Sequence, residues 1–129
     1  MIKHHTPPGI RPPFAYYSHG VEVPPGVRWL LCSGQLGIDP DDSVPEDAGA
    51  QAERAFENIR AILAASNMDM SDVVKLNTYV TDRAFLGDYM QVRDRFVGNP
   101  PPASTLMIVS GFARPEFKVE IEAIAAKAD

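Results

Sequence analysis

The sequence predicts an α+β fold in which a mixed sheet of five or six strands carries two helices on one face. Three observations predict it. Residues 73–81 and 117–125 alternate apolar and polar side chains with the period of a strand. Two other segments carry apolar residues at spacings of three and four, the period of a helix. Two helices cannot cover both faces of so wide a sheet, so they share one, and the expected order is β-β-α-β-α-β-β.

Each element has its own justification. Residues 1–13 hold Pro7, Pro8, Pro12 and Pro13 and read as an irregular arm ahead of one domain spanning residues 14–129. Residues 16–23 read as the first strand. Residues 27–34 are a nearly continuous apolar run with a tight Ser33-Gly34 exit, hence a buried second strand. Between them, Pro24-Pro25-Gly26 has turn chemistry and reads as a hairpin connection. The turn-rich segment 37–43 is a loop. In the first helix, residues 48–66, Ala52, Ala55, Phe56, Ile59, Ile62 and Leu63 form one stripe. Glu46 and Asp47 favour its N-terminal end, and Asn67 stops it.

In the third strand, Val74, Leu76, Thr78 and Val80 face one way, and Val73, Lys75, Asn77 and Tyr79 the other. The second helix, residues 84–97, buries Phe85, Tyr89, Val92 and Phe96 and ends at Gly98-Asn99. Pro100-Pro101-Pro102 is a stiff stop before a strand at 104–110. In the last strand Phe117, Val119, Ile121, Ala123 and Ala125 share one side; Lys118, Glu120, Glu122 and Ile124 share the other. The helix-free face mixes Lys75, Asn77, Tyr79, Glu120 and Glu122 with apolar neighbours. Such a face suits association with further copies, so a closed homo-oligomer with sites at subunit junctions is expected.

Composition narrows the function classes. The chain has 129 residues and a net charge of -5, which argues against a general grip on nucleic acid. No apolar run approaches the roughly 18 residues of a membrane span. The start, Met1-Ile2-Lys3-His4-His5, has no apolar core of a secretory signal. One cysteine permits no internal disulfide, and a reducing cytoplasm is the simplest home.

Few residues have the pattern of chemistry. His4 and His5 lie in the arm and His19 stands alone; with no metal-ligand motif, no metal is expected. Gly34 and Gly37 match no phosphate-binding fingerprint, so no nucleotide cofactor is expected. Cys32 lies inside an apolar strand and reads as a small core residue rather than a nucleophile. Glu120 interrupts an apolar alternation in mid-strand. Its carboxylate either enters a pocket, where it can position or deprotonate a water, or pairs with Lys118 or Lys75. Ser104 and Thr105 offer two hydroxyls at the head of a strand, for a ligand or for backbone capping. Tyr17 is a pocket or core aromatic, and Lys75 and Asn77 suit a subunit junction.

Taken together, several segments carry a resemblance. They are Cys32-Ser33-Gly34-Gln35, Gln51-Ala52, Asn58-Ile59-Arg60-Ala61-Ile62, Asp72-Val73-Val74-Lys75, Pro102-Ala103 and Lys118-Val119-Glu120-Ile121-Glu122-Ala123-Ile124-Ala125. In this order and spacing the chain resembles the RidA/YjgF family of reactive-intermediate deaminases from about Tyr17 to Ala125. The resemblance implies a chorismate-mutase-like fold, a homotrimeric barrel and a small-molecule pocket at each subunit junction, without cofactor or metal. It implies hydrolysis of enamines or imines, with Glu120 orienting water and Tyr17 lining the pocket as the catalytic pair. Ser33, Gly34, Ser104 and Thr105 would bind substrate.

The family's carboxylate-binding arginine belongs directly after Pro102-Ala103, where this chain has Ser104, and a pocket asparagine falls on Met90. A serine supplies no charge, whereas each charged hydrogen bond contributes roughly 1.5–3 kcal/mol. The expectation is therefore a ligand other than 2-aminoacrylate, unless His19, Arg28 or Arg114 replaces the cation. A non-catalytic metabolite-binding trimer is the alternative. Ribonuclease activity fits the acidic balance poorly.

Overall fold

A computed structural model describes residues 1–129. The helices form where their stripes and caps require. Helix α1 is Ala48–Ala65; the Asp47 carboxylate accepts from the Ala50 N–H at 2.9 Å, and Asn67 takes a left-handed conformation (φ 56°) just past the end. Helix α2, Leu86–Phe96, follows a single 3-10 turn, Arg83–Phe85, capped by Asp82. Strands β3 (Arg28–Leu36), β4 (Val73–Val80), β5 (Ala103–Ile108) and β6 (Val119–Lys127) form one sheet in the order β3-β6-β4-β5. Strand β6 is antiparallel to both neighbours, and β4 and β5 are parallel, with α2 as the connection between them.

Both helices pack on one face of this sheet. Phe56 of α1, with ring centroids 6.1 Å from Tyr89 and 5.1 Å from Phe96 of α2, joins them over Leu76, Val80, Val119 and Ile121. All of Phe56, Ile59, Leu63, Leu76 and Ile121 are fully buried. The other face has no covering layer. Trp29, Leu31 and Met107 lie more than half exposed on it, beside Lys75, Asn77, Tyr79, Glu120 and Glu122.

Several expectations need correction. The sheet has four strands rather than five or six. Of residues 16–23 only Gly20–Glu22 is a strand, β2, and it pairs with Lys3–His5, β1, as a separate two-stranded ribbon. The arm is therefore not irregular throughout. Lys3, His4 and His5 precede its first proline and keep free backbone N–H groups, and His5 meets the Glu22 carboxylate at 2.9 Å. Pro24-Pro25-Gly26 does turn the chain, with Gly26 at φ 81°, but β2 and β3 belong to different sheets, so it is no hairpin. Finally, a bulge between Val73 and Lys75 turns Val73 onto the core.

Candidate functional site

The uncovered face holds one constellation. Glu120 stands in β6 opposite Leu36 of β3 and Tyr79 of β4. Between Cys32 and Gln35 the β3 register shifts, and Gly34 lies in this bulge beneath the Glu120 side chain. A Cβ at Gly34 would sit 2.8 Å from the Glu120 Cδ and 2.9 Å from its Oε2. Glycine is thus what lets the carboxylate lie against the strand. Ser33 is exposed beside it. Neither lysine weighed as an ionic partner reaches Glu120: Lys118 donates from Nζ to the Glu46 carbonyl, and Lys75 donates to Thr105 Oγ1 at 2.8 Å.

A second constellation lies at the β5 edge on the helix side. Ser18 is pinned there: its Oγ donates to the Pro101 carbonyl at 2.6 Å and its N–H to the Pro102 carbonyl at 3.0 Å. That places Tyr17 beside the start of β5. The Tyr17 hydroxyl accepts from the Phe14 N–H at 3.2 Å, and its ring meets His19 edge-on at 5.9 Å. Ser104 pairs in register with Leu76, a core residue, so it faces the helices; Thr105 pairs with Asn77 and faces the open side. Phe14, Tyr17, Met90, Arg93, Ser104 and Leu106 line a pocket of about 280 Å³.

Within one chain the structure thus divides the expected site. Tyr17 and Ser104 share the edge pocket. Glu120 and Gly34 share the uncovered face, with Ser33 alongside and Thr105 on that same side of the sheet.

The three cations considered as substitutes for an arginine at Ser104 are engaged elsewhere. Arg28 donates to Asp129 at 2.5 Å and to the Ser66 carbonyl at 3.1 Å. Arg114 meets Asp42 at 3.4 Å and Glu116 at 3.3 Å. His19 bonds the Arg11 carbonyl at 2.7 Å, with its ring against Tyr17. The cation that does line the pocket is Arg93, only 3% exposed, which the sequence reading missed. Its signal was spacing: it lies one turn beyond Tyr89 and Met90, on the edge of the buried stripe. Cys32 is buried and its thiol is pushed up by desolvation, which disfavours a nucleophilic thiolate. No three His, Cys, Asp or Glu side chains converge as a metal site requires.

A family model described as Endoribonuclease L-PSP matches residues 9–127. The chain belongs to this family, the RidA/YjgF family. Among RidA/YjgF relatives, Protein DfrA of Myxococcus xanthus is 43% identical over 114 residues, covering 84% of this chain and 83% of that one. The 2-iminobutanoate/2-iminopropanoate deaminase of Salmonella typhimurium is 32% identical over 118 residues, covering 86% and 87%. The crystal structure of a Rid-family protein of unknown function from Yersinia pestis, YyfB, superposes with a TM-score of 0.87 at 28% identity, covering 98% of each chain. The two-helix, mixed-sheet architecture is the fold of this RidA/YjgF neighbour.

Proposed function

We propose that this protein hydrolyses an enamine or imine other than 2-aminoacrylate, in a pocket that two copies of the chain complete together. The observation that carries the reading is the Glu120 carboxylate, seated over Gly34 on an open face with Lys118 and Lys75 both bonded elsewhere. The 32% identity to a deaminase of 2-imino acids supports the reaction class. The apolar exposure of Trp29, Leu31 and Met107 supports a closed trimer, in which the Glu120 face of one copy meets the Tyr17 and Ser104 edge of the next. A reducing cytoplasm suits its single buried thiol.

The chemistry balances with water alone. Glu120 accepts a proton from water as its oxygen adds to the C=N carbon. That proton passes to nitrogen, the hydroxyl of the resulting carbinolamine gives a second proton to nitrogen as the C–N bond breaks, and ammonia leaves a carbonyl compound behind. Imine hydrolysis has a low intrinsic barrier, so orientation plus one proton-transfer group suffices.

The test couples an L-amino-acid oxidase to a panel of amino acids and follows imine decay. Wild type is expected to accelerate decay of at least one imine, and Glu120→Gln to lose about 100-fold or more of that rate. No acceleration across the panel, or a fully active Glu120→Gln, overturns the reading. Light scattering is expected to give three times the chain mass; a monomer overturns the shared pocket.

A further inference from the structure

The edge pocket contains a charge that nothing in the chain fully satisfies. Arg93 is 3% exposed, yet its guanidinium carries five N–H donors and stays ionised at any physiological pH. Taking such a group out of water is unfavourable by several kcal/mol unless its charge and donors are met. The partners present are few, the Tyr89 hydroxyl among them. Nε donates to Asp94 Oδ1 at 3.1 Å, and the guanidinium carbon lies 5.8 Å from the Tyr89 ring centroid. Asp94 is the next residue along the helix and about half exposed, so water weakens its hold. Nη2 is buried with no partner at all. Buried donors are nearly always paired, so an orphaned one on a pocket wall calls for an acceptor.

The surroundings say which acceptor. Ser104 brings a hydroxyl and no charge, and the Tyr17 hydroxyl, already accepting from Phe14, keeps its own proton to donate. One permanent cation flanked by two neutral donors suits a carboxylate. Phe14, Met90 and Leu106 make the remaining wall apolar, which suits a hydrocarbon side chain attached to it.

We propose that Arg93 is the anion-binding residue of this pocket, and that it holds the carboxylate of a 2-imino or 2-oxo acid with an apolar side chain from the α2 side. The inference rests on the hydrolase reading for its choice of imino acid, but its test does not require turnover. The site is specific in a particular way. A guanidinium entering from α2, rather than from the β5 position that Ser104 occupies, directs the ligand's side chain along Met90 and Leu106. Small acids such as pyruvate leave that wall unfilled.

Calorimetric titration with 4-methyl-2-oxopentanoate, its neutral amide and pyruvate tests the assignment. Wild type is expected to bind the oxo acid at least about 10-fold more tightly than the amide or pyruvate. Arg93→Met, close in volume, is expected to weaken the acid about 10- to 100-fold and leave the amide unchanged, and Arg93→Lys to recover part of the loss. A purely structural role would weaken acid and amide alike. Equal binding of acid and amide by wild type, unchanged acid binding in Arg93→Met, or no acid binding at millimolar concentration each overturns it. Glu120→Gln is expected to bind the oxo acid normally. Binding through Arg93 without imine turnover therefore sinks the hydrolase reading alone; turnover lost in Glu120→Gln with unchanged binding in Arg93→Met sinks this inference alone.

Discussion

Two glycines three residues apart, Gly34 and Gly37, show how one added methyl separates function from folding. At Gly34 an alanine Cβ would meet the Glu120 carboxyl group at 2.8–2.9 Å. That group is the far end of a flexible side chain, and it can swing aside. Gly34→Ala is therefore expected to change stability by less than about 1 kcal/mol. It also displaces the carboxylate, and a shift of order 1 Å in a reacting group lowers rate by about 100-fold. Imine turnover beside a thermal melt checks both halves; full activity would mean that the observed seat of Glu120 is irrelevant to catalysis. At Gly37 the added Cβ would meet the Gln51 Cα and carbonyl oxygen at 2.5 Å. These are backbone atoms of a helix and cannot yield, so Gly37→Ala is expected to destabilise by ~3 kcal/mol. Chemical denaturation checks this, and an unchanged midpoint refutes it.

At the scale of elements, Gln51 holds α1 to the entrance of β6. It is fully buried; its Nε2 donates to the Pro45 carbonyl at 2.7 Å and the Glu116 carbonyl at 2.9 Å, and its Oε1 accepts from the Lys118 N–H at 2.8 Å. Gln51→Leu fits the space and orphans three part-buried backbone groups, so a loss of about 3 kcal/mol is expected in urea unfolding. A loss below about 1 kcal/mol would show that water replaces the amide.

The same scale sets what a sequence reveals. Periodicity disclosed α1, α2, β4 and β6, because one buried face leaves a local imprint. Partner choice leaves none. Gly26 turns the chain as its chemistry demands, yet β2 pairs with β1 and β3 with β6. Residues 16–19 lost their strand because Ser18 bonds Pro101 and Pro102, more than eighty residues away. The facing of Glu120 was legible by alternation. Arg93 was not, because a charge beside an apolar stripe normally means solvent, and only the fold closes Ser104, Tyr17 and Met90 around it.

Across the whole molecule, one hydrogen bond between the two layers carries a proton that is tied to folding. Tyr89 of α2 is 1% exposed, and its hydroxyl lies 2.6 Å from Thr78 Oγ1 of β4. Burial pushes its pKa from 10 up to about 12, against smaller opposing effects of Thr78 and Arg93. Below pH 10 the ring is neutral in both folded and unfolded chains, and its contribution to stability is fully present. Between 10 and about 12 the unfolded chain loses the proton and the folded one keeps it, so stability falls as pH rises. Above about 12 both forms ionise and this loss stops growing. Two pKa units correspond to about 3 kcal/mol. Tyr89→Phe removes this titration and orphans the Thr78 hydroxyl, which is expected to lower stability by about 1 kcal/mol at pH 8. Its stability should then fall less steeply than wild type's between pH 9 and 11.5 in parallel denaturation series. Lysines and surface tyrosines titrate identically in both proteins, so they cancel in the difference. Equal slopes would mean that the Tyr89 phenol reaches water in the folded protein, and that the contact between helix layer and sheet opens at high pH before the chain unfolds.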